Sequence, residues 1–534
     1  MSAGRATAER KAAGRPPPPV VLLPALLVAA AMLLPPAYLA IRAFERGPGE
    51  VAEVLLDPET LAVLGRSALL AGVVTAAAVA VAVPLAWLTV RTDLPGRRTW
   101  AVLAALPLVI PSYVGGFVLV SALGPRGMLQ GALEPLGVER LPEIYGFPGA
   151  ALALTLFTYP YVLLTARSAL RGVDPALEEA SRNLGRGPWE TFFRVTLPQM
   201  RPGIAAGAIL VALYTLSDFG VVSLLQYDTF SREIYIQYRS AFDRTPAAVL
   251  GLMLVALAAA VLALEGRTRG RAAYHRSSAG ASRPPAVVRL GRWRWPALLF
   301  CGAVVTLALA APVGVLLFWL VRGLVGGESL QPLWVAAANS VVAASLAAAA
   351  TTLGALPVAA LSARHPGVMA ASLERLAYLG YALPGIALAL SLVFFGANYA
   401  PALYQTLAML IFAYAVHFMP QAVGATRSAL LQIKPSVEEA AHGLGRGRVM
   451  TLATVSVPLA APGILAGAAL VFLTTLKELP ATLLLSPTGF ETLATRIWSA
   501  TGDAFFARAA APALLLIAIS ALPMYLLTIR ERVR

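Results

Sequence analysis

Twelve apolar runs, each long enough to cross a lipid bilayer, constrain this chain more than any other feature of it. A hydrocarbon core about 30 Å thick takes about 20 residues of α-helix to span. Inside it every backbone N–H and C=O must be bonded within the segment, so runs of this kind have to be helices. They lie at about 20–41, 67–90, 100–123, 149–166, 203–225 and 247–264, then at about 296–321, 340–361, 376–395, 402–423, 463–485 and 511–529. Only 13% of the residues are charged, against roughly a quarter in soluble domains. The expected fold is therefore all-α, a polytopic membrane protein of about twelve transmembrane helices.

The formal charge of +15 suggests nucleic-acid binding at first sight, but the placement of the arginines points to membrane orientation instead. Arg5, Arg10, Lys11 and Arg15 precede the first run, and Arg267, Arg269, Arg271, Arg276, Arg283, Arg289, Arg292 and Arg294 crowd the central connection against one acid, Glu265. Such clusters stay on the cytoplasmic side. With an even number of spans the basic end (Arg530, Arg532, Arg534) joins them, so both termini are expected in the cytoplasm. The first external loop is acidic, with Glu45, Glu50, Glu53, Asp57 and Glu59 around Arg46. A cleaved signal peptide at 20–41 would leave an odd number of spans and is the poorer reading. No nucleic-acid partner is expected. The single cysteine, Cys301, sits in an apolar run and reads as a small core residue.

The chain is also duplicated. Residues 175–204 (PALEEASRNLGRGPWETFFRVTLPQMRPGI) align without a gap to 435–464 (PSVEEAAHGLGRGRVMTLATVSVPLAAPGI), with fourteen of thirty positions identical. Arg167 to Leu170 return as Arg427 to Leu430 at the same 260-residue offset, and Pro84 and Pro111 match Pro357 and Pro384 at an offset of 273. The sequence thus divides into a first half (1–265), a basic cytoplasmic linker (266–295) and a second half (296–534), each half with six spans. Six is even, so the copies insert the same way up, related by a pseudo-twofold axis along the membrane normal.

The repeated block follows the fourth span of each half and is therefore cytoplasmic. Asp174 and Pro175 form a helix start, with Glu178 and Glu179 near its positive end. In the second copy Ser436 and Glu439 have capping-box spacing. Leu177, Ala180 and Leu184 share one face, as do Val437, Ala440 and Leu444, and Gly185 and Gly445 end the helices. A short helix with an apolar stripe and an acidic start is suited to a partner's groove. A helix resting on lipid headgroups would instead favour a basic polar face.

The pattern Glu-Ala, then Gly, then a hydrophobic-x-hydrophobic-Pro ending falls on Glu179, Ala180, Gly185, Val195, Leu197 and Pro198, and on Glu439, Ala440, Gly445, Val455, Val457 and Pro458. It resembles the EAA loop of binding-protein-dependent ABC importer permeases, with Val457 where leucine is usual. The resemblance covers nearly the whole chain and implies a type I importer fold. In that family the loop (here about 174–204 and 434–464) docks into an ATP-binding subunit, so it implies coupling roles for Glu178, Glu179, Ala180, Gly185, Glu438, Glu439, Ala440 and Gly445. It implies as partners two copies of that ATPase, an extracytoplasmic solute-binding protein and membrane lipid. A phosphate-cradling loop needs Gly-Lys-Ser or Gly-Lys-Thr, and none of Lys11, Lys434 and Lys477 follows a glycine. No cofactor is expected on this chain, ATP and Mg belonging to the separate ATPase. The chain itself is then not an enzyme.

Ionisable groups inside a span are functional candidates. Asp218 and Glu478 match at the 260-residue offset, Lys477 sits beside Glu478, and Tyr214 and Thr474 precede the acids by four residues. Together they are the candidate substrate pathway, and Asp218 and Glu478 are the oxygen donors that suit transient contact with a hard cation. The bland reading has Lys477 pairing with an acid and His417 as a core histidine. A second repeated block, Tyr227-Asp228-Thr229 with Ile234-Tyr235 against Phe490-Glu491-Thr492 with Ile497-Trp498, is expected outside, anchoring helix ends at the lipid interface or forming an outer gate. The stretches LSDFGVVSLLQYDTFSREIY and LKELPATLLLSPTGFETLATRIW are similar to those of fused ferric iron importer permeases. That resemblance implies iron(III) import by alternating access. Thiamine or another small solute is the alternative cargo, and an ion-coupled secondary transporter is the more distant alternative.

Overall fold

The protein was analysed as a computed structural model, which describes residues 18–125, 127–138, 140–240, 245–268 and 287–533. The arginines ahead of residue 18 and the linker residues 269–286 lie outside the described residues. Among the described residues there is no strand, only one isolated parallel bridge between Thr92 and Val288. Nine described helices are long and apolar enough to cross a membrane. Two more spans are bent pairs, Arg97–Val109 with Ser112–Leu136 at 94° and Val368–Ala382 with Gly385–Tyr399 at 103°. The last run belongs to the helix Phe506–Val533. The protein is all-α, polytopic and built from two repeats.

Four of the twelve expected spans are not continuous helices, and the breaks come in symmetry-related pairs. The third and ninth runs bend at Pro111 and Pro384. A proline pushes the residue before it out of the helical region, and Ile110 (φ −77°, ψ 120°) and Leu383 (φ −100°, ψ 97°) are accordingly extended. The fifth run ends as a helix at Ser217 and resumes at Gly220–Leu224, and the eleventh ends at Leu476 and resumes at Pro480–Leu485. Asp218 is therefore not inside a helix, as the run length suggested, but in the break. Glu478 lies in the matching break.

The fourth and fifth spans of each half touch through glycine. A Cβ on Gly203 would strike the Ala169 methyl, and one on Gly207 would strike Thr165 and the Val162 backbone. Gly463 and Gly467 stand in the same relation to Ala429 and Ala425. Small residues four apart let two backbones close up, and in lipid the van der Waals contact so gained is the main adhesive.

The first helix of each half packs on the other half. Pro19–Ala43 buries Val21, Ala25, Ala29 and Met32 among Ala343, Ala347, Leu388 and Met419 of the second half. It is fixed there by a hydrogen bond from the Ser391 hydroxyl to the Pro35 carbonyl (2.8 Å). In return, the helix beginning at Arg294 buries Ala297, Cys301, Val305 and Ala308 against first-half residues such as Leu85, Tyr159 and Val162. Cys301 is an inert core residue there. The last part of the linker is pinned as well, by Val288 N–H to the Arg91 carbonyl (2.8 Å) and Leu290 N–H to the Asp93 carboxylate (2.8 Å).

Candidate functional site

Two short helices, Pro175–Asn183 and Pro435–Gly443, occupy matching positions at the end of the fourth span of each half. Each begins on proline, whose fixed φ and missing N–H suit the first helical position. The Asp174 carboxylate caps the first helix by accepting from Ala176 N–H (3.0 Å). The capping box expected from Ser436 and Glu439 does not form. Pro435 starts the helix two residues earlier than that box requires, so Lys434 takes the cap position without a side-chain bond and Ser436 lies inside the helix. Both helices end in the same glycine-terminated reversal: Gly185 (φ +82°) and Gly445 (φ +81°) adopt the left-handed conformation. The bonds Arg186 N–H to Ser181 C=O (3.3 Å) and Arg446 N–H to Ala441 C=O (3.1 Å) close it.

The two glutamates of each copy do different work. Glu178 turns inward, accepting from the Thr196 hydroxyl (2.7 Å) and pairing with Arg91 (3.4 Å), whose guanidinium also donates to the Leu170 carbonyl (3.3 Å). The second half repeats this arrangement residue by residue, with a tighter ion pair. Glu438 accepts from Ser456 (2.6 Å) and pairs with Arg364 (2.8 Å), which donates to the Leu430 carbonyl (2.9 Å). Each latch therefore ties its short helix to the ends of the second and fourth spans and the start of the fifth. Glu179, Ala180, Glu439 and Ala440 are exposed. So are the apolar side chains beside them, Leu177 and Val437, with Leu184 at 79% and Leu444 at 85% of full exposure. Sequence reasoning missed Arg91 and Arg364. They obey the same 273-residue offset as the paired prolines, and that was the available signal. Just beyond, Phe192–Thr196 and Leu452–Ser456 each form one π-helical turn leading into the fifth span, immediately before Pro198 and Pro458.

At membrane depth, Asp218 and Glu478 serve the backbone. An Asp218 oxygen accepts from Val221 N–H (2.9 Å), and its other oxygen takes the Ser112 hydroxyl at the start of the bent third span. Glu478 accepts from Ala481 N–H (3.0 Å) and Thr482 N–H (3.3 Å). Each acid thus caps the short helix that resumes its own broken span, supplying donors orphaned by the break with an acceptor. Its neighbour at the third-span bend is Gly385, where a Cβ would sit 2.6 Å from a Glu478 oxygen. Among the described residues no group of three or more His, Cys, Asp or Glu is placed to hold a metal ion.

Lys477 does not pair with an acid. Its ammonium donates to the Leu108 carbonyl of the other half (2.9 Å), and no carboxylate of the described residues forms an ion pair with it within 4.0 Å. The groups four residues before the acids also keep symmetry-matched company. Tyr214 lies against Tyr161 with ring centroids 5.8 Å apart, and Thr474 donates to Gln421 (3.2 Å), Gln421 matching Tyr161 at the 260-residue offset. His417 rests on Phe418 (centroids 4.7 Å).

Two aromatics of the outer repeated block, Tyr235 and Trp498, pack between the halves. Tyr235 and Trp498 both lie against Phe219, at centroid distances of 4.7 and 5.0 Å, within a buried cluster built from both halves. The helices that carry them are held alike, Ser67 accepting from Phe230 N–H (3.1 Å) and Ser340 from Leu493 N–H (2.8 Å). Aromatic rings presented by both halves to one residue close the space between them.

Two repeated bundles of membrane-spanning helices, each carrying a latched short helix, make this a duplicated polytopic membrane protein. The sequence matches the family described as binding-protein-dependent transport system inner membrane component at residues 78–267 and again at 355–532, and the chain belongs to that family. It is 33% identical over 493 residues to the Fe(3+)-transport system permease protein FbpB 2 of Haemophilus influenzae, covering 92% of this chain and 94% of that protein. It is 37% identical over 177 residues to the molybdenum transport system permease protein ModB of Escherichia coli, 31% of this chain and 72% of that one. The sulfate transport system permease protein CysW of Escherichia coli is 28% identical over 230 residues, 41% of this chain and 78% of that one. The protein is a multi-pass permease subunit of an ABC-type importer and not itself an enzyme.

Proposed function

We propose that this permease imports iron(III) delivered by an extracytoplasmic binding protein, driven by two copies of a separate ATPase gripping the two coupling helices. Support for the cargo comes from the ferric permease that matches almost end to end. The single observation that carries the coupling is the doubled arrangement of an exposed apolar face backed by an internal Glu–Arg latch. ATP and Mg reside on the partner, and this chain holds no cofactor. Residues 1–265 and 296–534 act as the two moving halves, with the linker 266–295 and both termini in the cytoplasm.

In this mechanism, closure of the ATPase pair pulls Leu177, Leu184, Val437 and Leu444 together. Through Glu178 and Glu438 the displacement passes to Arg91 and Arg364, and through Thr196 and Ser456 to the fifth span of each half. Because interfaces of packed side chains are bistable and not elastic, the halves then part at the aromatic cluster around Phe219. Hydrolysis restores the closed exterior.

The test is the double variant Gly185→Asp with Gly445→Asp. A Cβ at either glycine meets nothing within 4 Å, and Asp tolerates the left-handed region better than most residues. The protein should insert and fold, while nucleotide-dependent uptake in proteoliposomes holding the ATPase and binding protein is lost. Wild-type uptake by that variant sinks the coupling model. For the cargo, labelled iron(III) is competed with thiamine, molybdate and sulfate, and failure of iron to accumulate removes that assignment.

A further inference from the structure

The charge at the centre of the molecule is arranged in a way that bears on the form in which cargo crosses. The two acids at membrane depth, Asp218 and Glu478, are 6% and 8% exposed; both Asp218 oxygens are bonded, to Val221 and Ser112, and one Glu478 oxygen serves Ala481 and Thr482. Neither offers the several free oxygens that a hard cation requires in place of its water. Lys477, one residue away, is only partly buried and bridges the halves. An ammonium has three donors. One goes to the Leu108 carbonyl, and no described carboxylate lies within ion-pairing distance of the group. Its position in the first half is held by Ser217, so the charge has no counterpart across the axis. The nearby matched pairs, Tyr161 with Tyr214 and Gln421 with Thr474, are uncharged.

An uncompensated cation beside a passage repels a bare trivalent ion and attracts an anion, strongly so where water is scarce. We infer that Lys477 is a substrate-contacting residue for an anionic species, so that the metal crosses as a complex carrying an anionic ligand and not as a naked ion. This rests on the reading of the chain as an import permease with its passage between the halves. It is also consistent with the same scaffold serving relatives named for molybdenum and sulfate transport.

The experiment uses the full permease with its ATPase and binding protein in proteoliposomes, supplied with citrate-complexed iron(III) labelled on both metal and citrate, and in parallel with molybdate and sulfate. Both labels should accumulate together. Lys477→Gln keeps a donor for the Leu108 carbonyl but removes the charge, and it should lose about tenfold or more of the uptake, as expected for one charge-assisted hydrogen bond. Lys477→Arg should keep most of it. Metal entering without its anion and making the lumen positive, or wild-type uptake by Lys477→Gln with thermal stability unchanged, overturns the inference. Nucleotide-driven uptake of molybdate or sulfate without iron would remove the iron assignment and leave the anion inference standing. If none of the three solutes moves with nucleotide while another solute does, the cargo lies outside these classes and this inference fails, with the family assignment standing.

Discussion

At the residue scale, the two halves solve one problem with two complementary pairs. Asp218 faces Ser112, and Glu478 faces Gly385: the longer acid goes with the residue lacking a side chain, and the shorter acid with a hydroxyl that fills the difference. Gly385→Ser should therefore crowd the Glu478 carboxylate and destabilise the protein by about 1–3 kcal/mol, the usual cost of overpacking. Adding Glu478→Asp recreates the first-half pairing and should recover most of the loss. Thermal unfolding of the detergent-solubilised variants reads both effects. Sequence comparison paired the two acids correctly through the 260-residue offset, yet it cast them as pathway ligands. Their task as caps was hidden because nothing in a run of apolar residues announces that the helix stops at Ser217. The break is a tertiary outcome, made where the acid can serve orphaned N–H groups of the next helix.

At the scale of the element, the coupling helices were legible because their signals are local: proline at the first position, glycine just past the end, and an apolar stripe between. The false capping box has an equally local cause, since Pro435 outcompetes Ser436 for control of the helix start. What joins these helices to the membrane was not legible, because Arg91 and Glu178 stand far apart in sequence and meet only after folding. The Arg364 and Glu438 side chains are 18% and 17% exposed, so removing one partner strands a largely desolvated charge. Arg364→Leu alone should cost about 3–5 kcal/mol. Arg364→Leu together with Glu438→Leu should regain most of that stability in a melting experiment while uptake stays low, because the latch is then apolar and no longer directional. Recovery of uptake along with stability would make the latch a structural brace only.

At the scale of the whole molecule, each half is completed by the first helix of the other, through the burial of Val21 to Met32 on one side and Ala297 to Ala308 on the other. The crossed packing means that the halves hold together without the linker. Co-expression of residues 1–268 and 287–534 as separate chains should give a complex that co-purifies through a tag on either piece and still transports. Failure of the pieces to associate would give the linker an architectural role. The twofold repeat and the all-α, polytopic character could be read from the sequence, since both are written in periodicity and offset. The exchange of first helices could not, because an apolar helix carries no mark of which bundle it will cover.

Phe219 touches both Tyr235 and Trp498, whereas its symmetry mate is Leu479, and the symmetry mate of Lys477 is Ser217. Two identical subunits are denied such arrangements, since any residue on their shared axis must meet its own twin and a lysine there would confront a second lysine. Tandem fusion frees the centre of the molecule from that symmetry. A single base change can then retune one wall of the conduit while its opposite keeps the ancestral form.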